Sequence, residues 1–350
     1  MTKSDLLLHF TKANPIDHLV SQLDPENHKL ICAEGLIGSS KTLFTLEAFK
    51  ASDTSVLMIL KDKETAAYHL NELQDFLNKD DVLFFPDSYR RPYQIEETDN
   101  ANVLQRAEVL NRLNSRKKPA ILVSYPSALF EKVVNTSELK RHTLSIKQGD
   151  KLDLDFVNET LFEYEFKRVD FVTEPGEFSV RGGIIDIYSF SNEEPYRIEF
   201  FGDEVESIRT FDIESQLSID QIKKASIMPN VENKHVEEKR QSFFEYIKSN
   251  SLILVENVDL FKADLDELYR KANSNFENLT KDLNYSKPSE LFCDGDHMLK
   301  NLKTFNCILF NKTELIKVSE EHSFNFETSP QPAFNKKFDL LIEDLEDHHK

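Results

Sequence analysis

Short apolar runs alternate with amphipathic stretches along the first part of the chain, from about residue 28 to 136. Apolar runs bounded by polar segments are typical of buried strands, whereas apolar positions three or four residues apart predict helices. The predicted strands are residues 30–33, 55–60, 82–85 and 120–124, and the predicted helices are 42–50, 64–76 and 102–113. This alternation predicts an α/β domain with a parallel sheet, of the RecA-like P-loop type or a related nucleotide-binding type.

The pattern changes at about residue 140, where strands and tight turns follow one another. The predicted strands here are residues 178–180, 184–188, 196–201 and 204–211, and four of the eight glycines fall between 176 and 202. We predict a small antiparallel α+β domain inserted into the α/β domain. Helical patterns return after residue 223, with strands at 252–255 and 307–310.

Three segments follow from these changes: an α/β domain at 1–139, the inserted domain at 140–222, and the remainder of the α/β domain at 223–350. Residues 338–350 are acidic and amphipathic, and we interpret them as a linker beyond which the natural chain continues.

Charge and composition narrow the classes of function. The chain has 43 Lys and Arg against 62 Asp and Glu, a net charge of −19, so direct binding of a nucleic-acid backbone is not expected. No apolar run is long enough for a signal peptide or a membrane span, and three scattered cysteines favour a reducing cytoplasm. Cys293 and His297 share an acidic loop with too few regularly spaced ligands for a metal site, so we expect no metal.

Residues 35–42, GLIGSSKT, match a phosphate-binding loop at all but one required position. Gly35 and Gly38 lie in the turn and Lys41 and Thr42 are present, but Ser40 stands where the pattern has its second glycine. A side chain there restricts the backbone and crowds a phosphate, and the preceding Glu34 adds negative charge. We therefore favour a loop that only links a strand to a helix, and we expect no ATP cofactor in this module.

Two segments then carry a family resemblance: GEFSVRGGIIDIYSF at 176–190 and PYRIEFFGDEVESIRTFD at 195–212. Together they resemble the second domain shared by the excision-repair helicase UvrB and the bacterial transcription-repair coupling factors (Mfd). Residues 84–100 resemble the family's segment after the third strand, but they are too short for the DNA-gripping β-hairpin of UvrB. Glu256 and Asn257 stand where an active helicase has an Asp–Glu pair.

These departures make the N-terminal module of the coupling factors the better match. The resemblance implies UvrB-like domains 1a, 2 and 1b in a catalytically inactive module, which recruits UvrA to transcription-coupled nucleotide excision repair. It also implies contact with other domains of a longer protein, which would be an ATP-dependent DNA translocase.

Strand alternation and the resemblance point to the same docking residues. Tyr196, Ile198 and Phe200 are predicted to face the core, and Arg197, Glu199 and Phe201 to face outward. Arg181 precedes a Gly–Gly turn, where its side chain should project. By resemblance, the positions that contact UvrA are Arg181, Arg197, Glu199 and Phe201, and Ser179 replaces a second arginine of UvrB.

Three other interpretations stay open. The Arg and Glu side chains could serve only to solubilise the sheet. Lys41 and Thr42 could belong to a divergent ATP-binding or ATP-hydrolysing helicase fragment. The module could instead be an autoinhibitory structural element that restrains the motor of the longer protein.

Overall fold

A computed structural model describes residues 3–13, 16–23, 29–88, 100–115, 118–135, 143–190, 192, 194–228, 240–278, 286–330, 334 and 337–349. The helices are α1 Lys3–Ala13, α2 Ile16–Ser21, α3 Ser40–Ser52, α4 Lys63–Phe76, α5 Asn100–Ser115, α6 Pro126–Phe130, α7 Leu154–Glu163, α8 Phe243–Tyr246, α9 Val258–Glu277, α10 Pro288–Leu291, α11 Gly295–Leu302 and α12 Phe338–His349. Short 3₁₀ turns lie at Lys79–Asp81 and Glu320–His322.

The strands are β1 Leu30–Glu34, β2 Val56–Ile59, β3 Val82–Phe84, β4 Ile121–Ser124, β5 Val133–Val134, β6 Leu144–Lys147, β7 Lys167–Arg168, β8 Glu177–Arg181, β9 Ile184–Ile187, β10 Tyr196–Phe201, β11 Glu204–Phe211, β12 Ser218–Ile222, β13 Lys224–Ile227, β14 Arg240–Gln241, β15 Leu252–Val255, β16 Asn306–Leu309 and β17 Ser323–Asn325.

A seven-stranded parallel sheet forms the centre of the α/β part, in the order β17-β1-β16-β15-β2-β4-β3. Strands β2, β4 and β15 are apolar and buried at nearly every position, as expected where helices cover both faces of a parallel sheet. The predicted parallel α/β sheet is therefore confirmed. Its strands come from both ends of the chain, since β15, which follows residue 250, pairs with β2 on one side and β16 on the other.

A separate sheet holds six strands in the order β12-β11-β10-β9-β8-β7. The prediction of an antiparallel sheet is correct for four of its pairings and wrong for the fifth, because β7 runs parallel to β8. The chain between these two strands crosses one face of the sheet, where Val169 and Val172 pack with Tyr188 and Phe211. It therefore returns to the same end of the sheet before β8 begins.

The opposite face of the six-stranded sheet covers a second hydrophobic core. Helix α7 contributes Val157 and Leu161, and the two-stranded pair β6–β13 contributes Ile146, Ala225 and Ile227. This core thus extends beyond residue 222, where the sequence pattern placed the end of the inserted domain. The exact domain limits stay a prediction.

Helix α12 occupies the segment that we interpreted as an acidic linker. Its side chains Phe338, Leu340, Ile342 and Leu345 are all exposed. None of the described helices combines the length and apolar character that a bilayer span requires. Residues 89–99, which include most of the segment compared with the UvrB hairpin region, lie outside the described residues.

Candidate functional site

Strand β10 presents one buried and one outward row of side chains, as predicted. Tyr196, Ile198 and Phe200 are buried in the second core, whereas Phe201 is 80% exposed at the end of the strand. The alternation is confirmed, and an aromatic ring this exposed marks the outward row as unusual for a plain solvent face.

Strand pairing brings the outward side chains of five strands onto one surface, which we call the arginine face. Its register partners form two adjacent rows: Ser179, Asp186, Arg197, Arg209 and Gln221 in one row, and Arg181, Ile184, Glu199 and Ser207 in the other. Three of the four predicted docking residues, Arg181, Arg197 and Glu199, therefore lie together, with Phe201 at the end of β10 beside them.

Asp186 is a buried carboxylate shared by two arginines of this face. Arg197 donates from Nε to Asp186 Oδ1 at 2.8 Å and from Nη2 to Oδ2 at 3.0 Å, and Arg181 pairs with the same Oδ2. The hydrogen bonds to Asp186 raise the pKa of the Arg197 guanidinium. A buried carboxylate held by two guanidinium groups fixes both side chains in place.

Arg197 is less available than its pattern suggested. Its guanidinium also donates to the carbonyl oxygen of Gln216 at 3.1 Å and lies 4.3 Å from the centroid of the Phe211 ring. The side chain is consequently only 15% exposed. Arg181 is 39% exposed, donates to the carbonyl oxygen of Asp170 at 3.2 Å, and lies over the ring of Phe171.

Glu199 holds the second row together. One carboxylate oxygen accepts the Ser207 hydroxyl at 2.6 Å, and the other pairs with Arg209. Arg209 and the exposed Phe171 were missed by the sequence interpretation. Residue pairs counted outward from the Gly202–Asp203 turn would place Ile208 opposite Arg197. A β-bulge in this hairpin adds one residue to β11, so Arg209 takes that position instead.

The loop at 35–42 connects β1 to α3, in the strand, loop and helix order that the motif requires. The Ser40 hydroxyl accepts from the Ile37 amide at 2.7 Å and donates to the Ile37 carbonyl at 2.8 Å. Thr328 also accepts from that amide, at 3.1 Å. Backbone amides of such a loop are the groups that bind phosphate, and here one of them is used within the protein.

Internal carboxylates bind the lysine and two of the hydroxyls of this loop. Lys41 Nζ lies 2.5 Å from Glu256 Oε1, and Glu256 Oε2 accepts from the Lys61 amide at 2.9 Å. Thr42 donates to Glu72 Oε2 at 2.5 Å, and Ser39 donates to the other oxygen of Glu72. Lys41 and the hydroxyls of Ser39 and Thr42 are thus hydrogen-bonded to the chain's own acids.

The surrounding residues have structural contacts of their own. Asn257 Oδ1 accepts from the Leu260 amide at the start of α9, and Glu34 pairs with Lys312 at 2.8 Å. Burial lowers the pKa of His69, which lies 2.7 Å from the Thr42 hydroxyl through Nδ1. Glu256 and Asn257 follow β15 directly, and both side chains are hydrogen-bonded to other groups of the protein.

The prediction that Cys293 and His297 share an acidic loop is wrong, because His297 lies in helix α11. Cys293 is buried, which raises the pKa of its thiol to about 12, and Asp294 caps helix α11 by accepting from the His297 amide. Within the described ranges, no three His, Cys, Asp or Glu side chains are grouped as a metal site would need.

Comparison with known proteins relates the segment that contains the six-stranded sheet to a known domain family. Residues 144–232 match the family described as the UvrB interaction domain. The chain carries a UvrB interaction domain. The matched segment begins at β6 and ends just after β13, so it includes the whole second core and the arginine face.

Similar whole proteins are named transcription-repair-coupling factors. The chain is 31% identical to that of Bacillus subtilis over 240 residues, which is 68% of this chain and 20% of the relative. It is 28% identical to that of Haemophilus influenzae over 205 residues, and 27% identical to that of Escherichia coli over 194 residues, covering 59% and 55% of this chain and 18% and 17% of those relatives. The chain therefore spans about a fifth of these relatives, and it fits their UvrB-like module.

Proposed function

We propose that this chain is the UvrA-docking module of a transcription-repair coupling factor, and that it recruits UvrA in transcription-coupled nucleotide excision repair. The observation that carries the proposal is the arginine face, with the exposed Phe201 at its end, inside the segment that matches the UvrB interaction domain. Exposed aromatic rings and arginines are the side chains most enriched at binding hot spots.

The four proposed contact residues differ in role. Phe201 supplies an apolar anchor, because it is the most exposed large apolar residue of the six-stranded sheet. Arg181 supplies a half-exposed cation. Glu199 and Arg197 order the surface, since each is held in a cross-strand ion pair.

We further propose that the loop at 35–42 binds no nucleotide in this module. An incoming phosphate would have to displace Glu256 from Lys41 and Glu72 from Thr42, and both carboxylates repel it. The alternative of a divergent ATPase rests on Lys41 and Thr42 alone. An autoinhibitory role, through contact with other domains of a longer protein, stays a prediction.

Titration of the full chain into UvrA in a calorimeter tests docking. Wild-type protein should bind, and Phe201→Ala and Arg181→Ala should each weaken binding about tenfold or more, as hot-spot truncations do. Absence of wild-type binding at tens of micromolar protein would refute the proposal.

Matched controls come from the other surfaces of the same chain. Phe156→Ala removes an exposed ring from α7, the helix that packs against the opposite face of the six-stranded sheet. Arg270→Ala removes an exposed arginine from α9. Both should bind UvrA like the wild type. Equal losses in the variants and the controls would indicate a nonspecific charge or solubility effect.

A further inference from the structure

We propose that Arg209 is a direct contact residue of the same docking surface, and that it binds an Asp or Glu side chain presented by UvrA. This inference rests on the proposed docking function and adds a residue that neither the sequence interpretation nor the domain match assigns.

The β-bulge places Arg209 on the arginine face. Phe201 pairs with Glu204 and Phe200 with Val205, but Glu199 pairs with Ser207, so Glu206 is the extra residue. Without it, Ile208 would lie opposite Arg197. With it, Ile208 stays in the core and Arg209 lies directly opposite Arg197.

Two like charges directly opposite each other destabilise a sheet unless other groups compensate. The two register rows hold three guanidinium groups, of Arg181, Arg197 and Arg209, against two carboxylates, of Asp186 and Glu199. Within these two rows one positive charge is therefore in excess, in a chain whose net charge is −19. A partner carboxylate would balance it.

Arg209 has more donors available for that carboxylate than Arg197. Arg197 uses both ends of its guanidinium on Asp186 and Gln216 and is 15% exposed. Arg209 is 33% exposed and, among the described residues, its hydrogen bond is the one from Nη2 to Glu199. Its Nε is buried without an acceptor there, so Nη1 and the second N–H of Nη2 are the donors that remain for a partner.

The register neighbour of Arg209 on β12 carries an amide side chain, that of Gln221. A guanidinium beside an amide suits a carboxylate bound through two parallel hydrogen bonds.

Calorimetric titration of UvrA with Arg209 variants tests the proposal. Arg209→Gln should weaken binding about tenfold, and Arg209→Lys should recover only part of that loss, because an ammonium group lacks the planar fork. Both variants should retain the wild-type melting temperature within a few degrees. The Arg270→Gln variant is the control for a general charge effect.

A second measurement separates contact from positioning. If Arg209 acts only by holding Glu199, then Arg209→Gln should cause no further loss in a Glu199→Gln background. Direct contact requires that about the same tenfold loss persist there. Wild-type affinity in Arg209→Gln would overturn the proposal and leave the docking function intact, whereas failure of the wild type to bind UvrA would overturn both.

Discussion

Lys41 Nζ lies 2.5 Å from Glu256 Oε1, so the lysine of the phosphate-binding pattern is bound by a carboxylate of its own chain. The other oxygen of Glu256 accepts the amide of Lys61, just beyond β2. This single carboxylate therefore joins the start of α3 to the carboxyl ends of β2 and β15. Lys41 has a structural contact that requires no nucleotide.

Removal of that lysine should destabilise the fold. We expect Lys41→Ala to lower the free energy of unfolding by about 3 kcal/mol, because Glu256 is left mostly buried without its cation. Lys50→Ala is the control, since Lys50 forms an exposed pair on the same helix and should cost at most about 1 kcal/mol. Urea denaturation measures both values. Equal stability of the two variants would contradict the structural role.

The same loop is closed on its other side by the residues after β17. A Cβ on Gly35 would lie 2.0 Å from the carbonyl oxygen of Phe326, and the backbone φ of Gly35 is +81°. Gly35→Ala should therefore destabilise the protein strongly. Gly38 also has a positive φ but has open space around it, so Gly38→Ala should cost only about 1–2 kcal/mol. Thermal melting of the two variants separates the cost of a steric contact with Phe326 from the cost of backbone strain alone. An equal drop in melting temperature would contradict the contact with Phe326.

Buried His69 should make stability depend on pH. Desolvation lowers its pKa in the folded protein below the ordinary value of 6.5, so the unfolded chain binds the proton more readily. The stability that neutral His69 supports is thus complete above pH 6.5 and is lost as pH falls through the lower folded pKa. Urea midpoints at pH 8, 7, 6 and 5 should fall more steeply for the wild type than for His69→Gln. The difference in urea midpoint between the wild type and His69→Gln should be constant above pH 7. Parallel plots of midpoint against pH over the whole range would contradict a buried neutral histidine.

Arg106 of α5 supports the ends of β3 and β4. It is fully buried, donates to the carbonyl oxygens of Pro86 and Ala128 at 2.7 and 3.0 Å, and lies 3.5 Å from the buried Glu131. Arg106→Met should cost about 4 kcal/mol, because the buried carbonyl oxygens of Pro86 and Ala128 lose their donor and the buried Glu131 loses this ion pair. Arg112→Met on the same helix removes a partly exposed arginine and should cost at most about 1 kcal/mol. Denaturant midpoints distinguish the two, and a small loss for Arg106→Met would show that Glu131 has enough other partners.

Short apolar runs were sufficient to predict the strands of the parallel sheet, because burial on both faces leaves an uninterrupted apolar signal in β2, β4 and β15. They do not predict β17, whose residues Ser323–Asn325 form an edge strand with no such run. Nor do they predict the order of the strands, since β15 inserts between strands from distant parts of the chain.

The positions of site residues were predictable where they depend on the alternation of side chains along one strand. They were not predictable where they depend on contacts between distant residues or on strand register. The outward position of Phe201 follows from a period of two along β10. The pairing of Lys41 with Glu256 joins residues 215 positions apart, and the opposition of Arg197 and Arg209 depends on one bulged residue. Neither a distant ion pair nor a bulge leaves a local sequence pattern.

Phe171 offers a test of how far the docking surface extends beyond β10. Its ring is 61% exposed, and the guanidinium of Arg181 lies 5.4 Å from the ring centroid. We expect Phe171→Ala to weaken UvrA binding by about three- to tenfold, because the variant loses an exposed aromatic contact and frees Arg181 to move. Stability should change little, since the ring is mostly in solvent. Phe156→Ala again serves as the control in calorimetry, and wild-type affinity in Phe171→Ala would restrict the docking surface to the strands themselves.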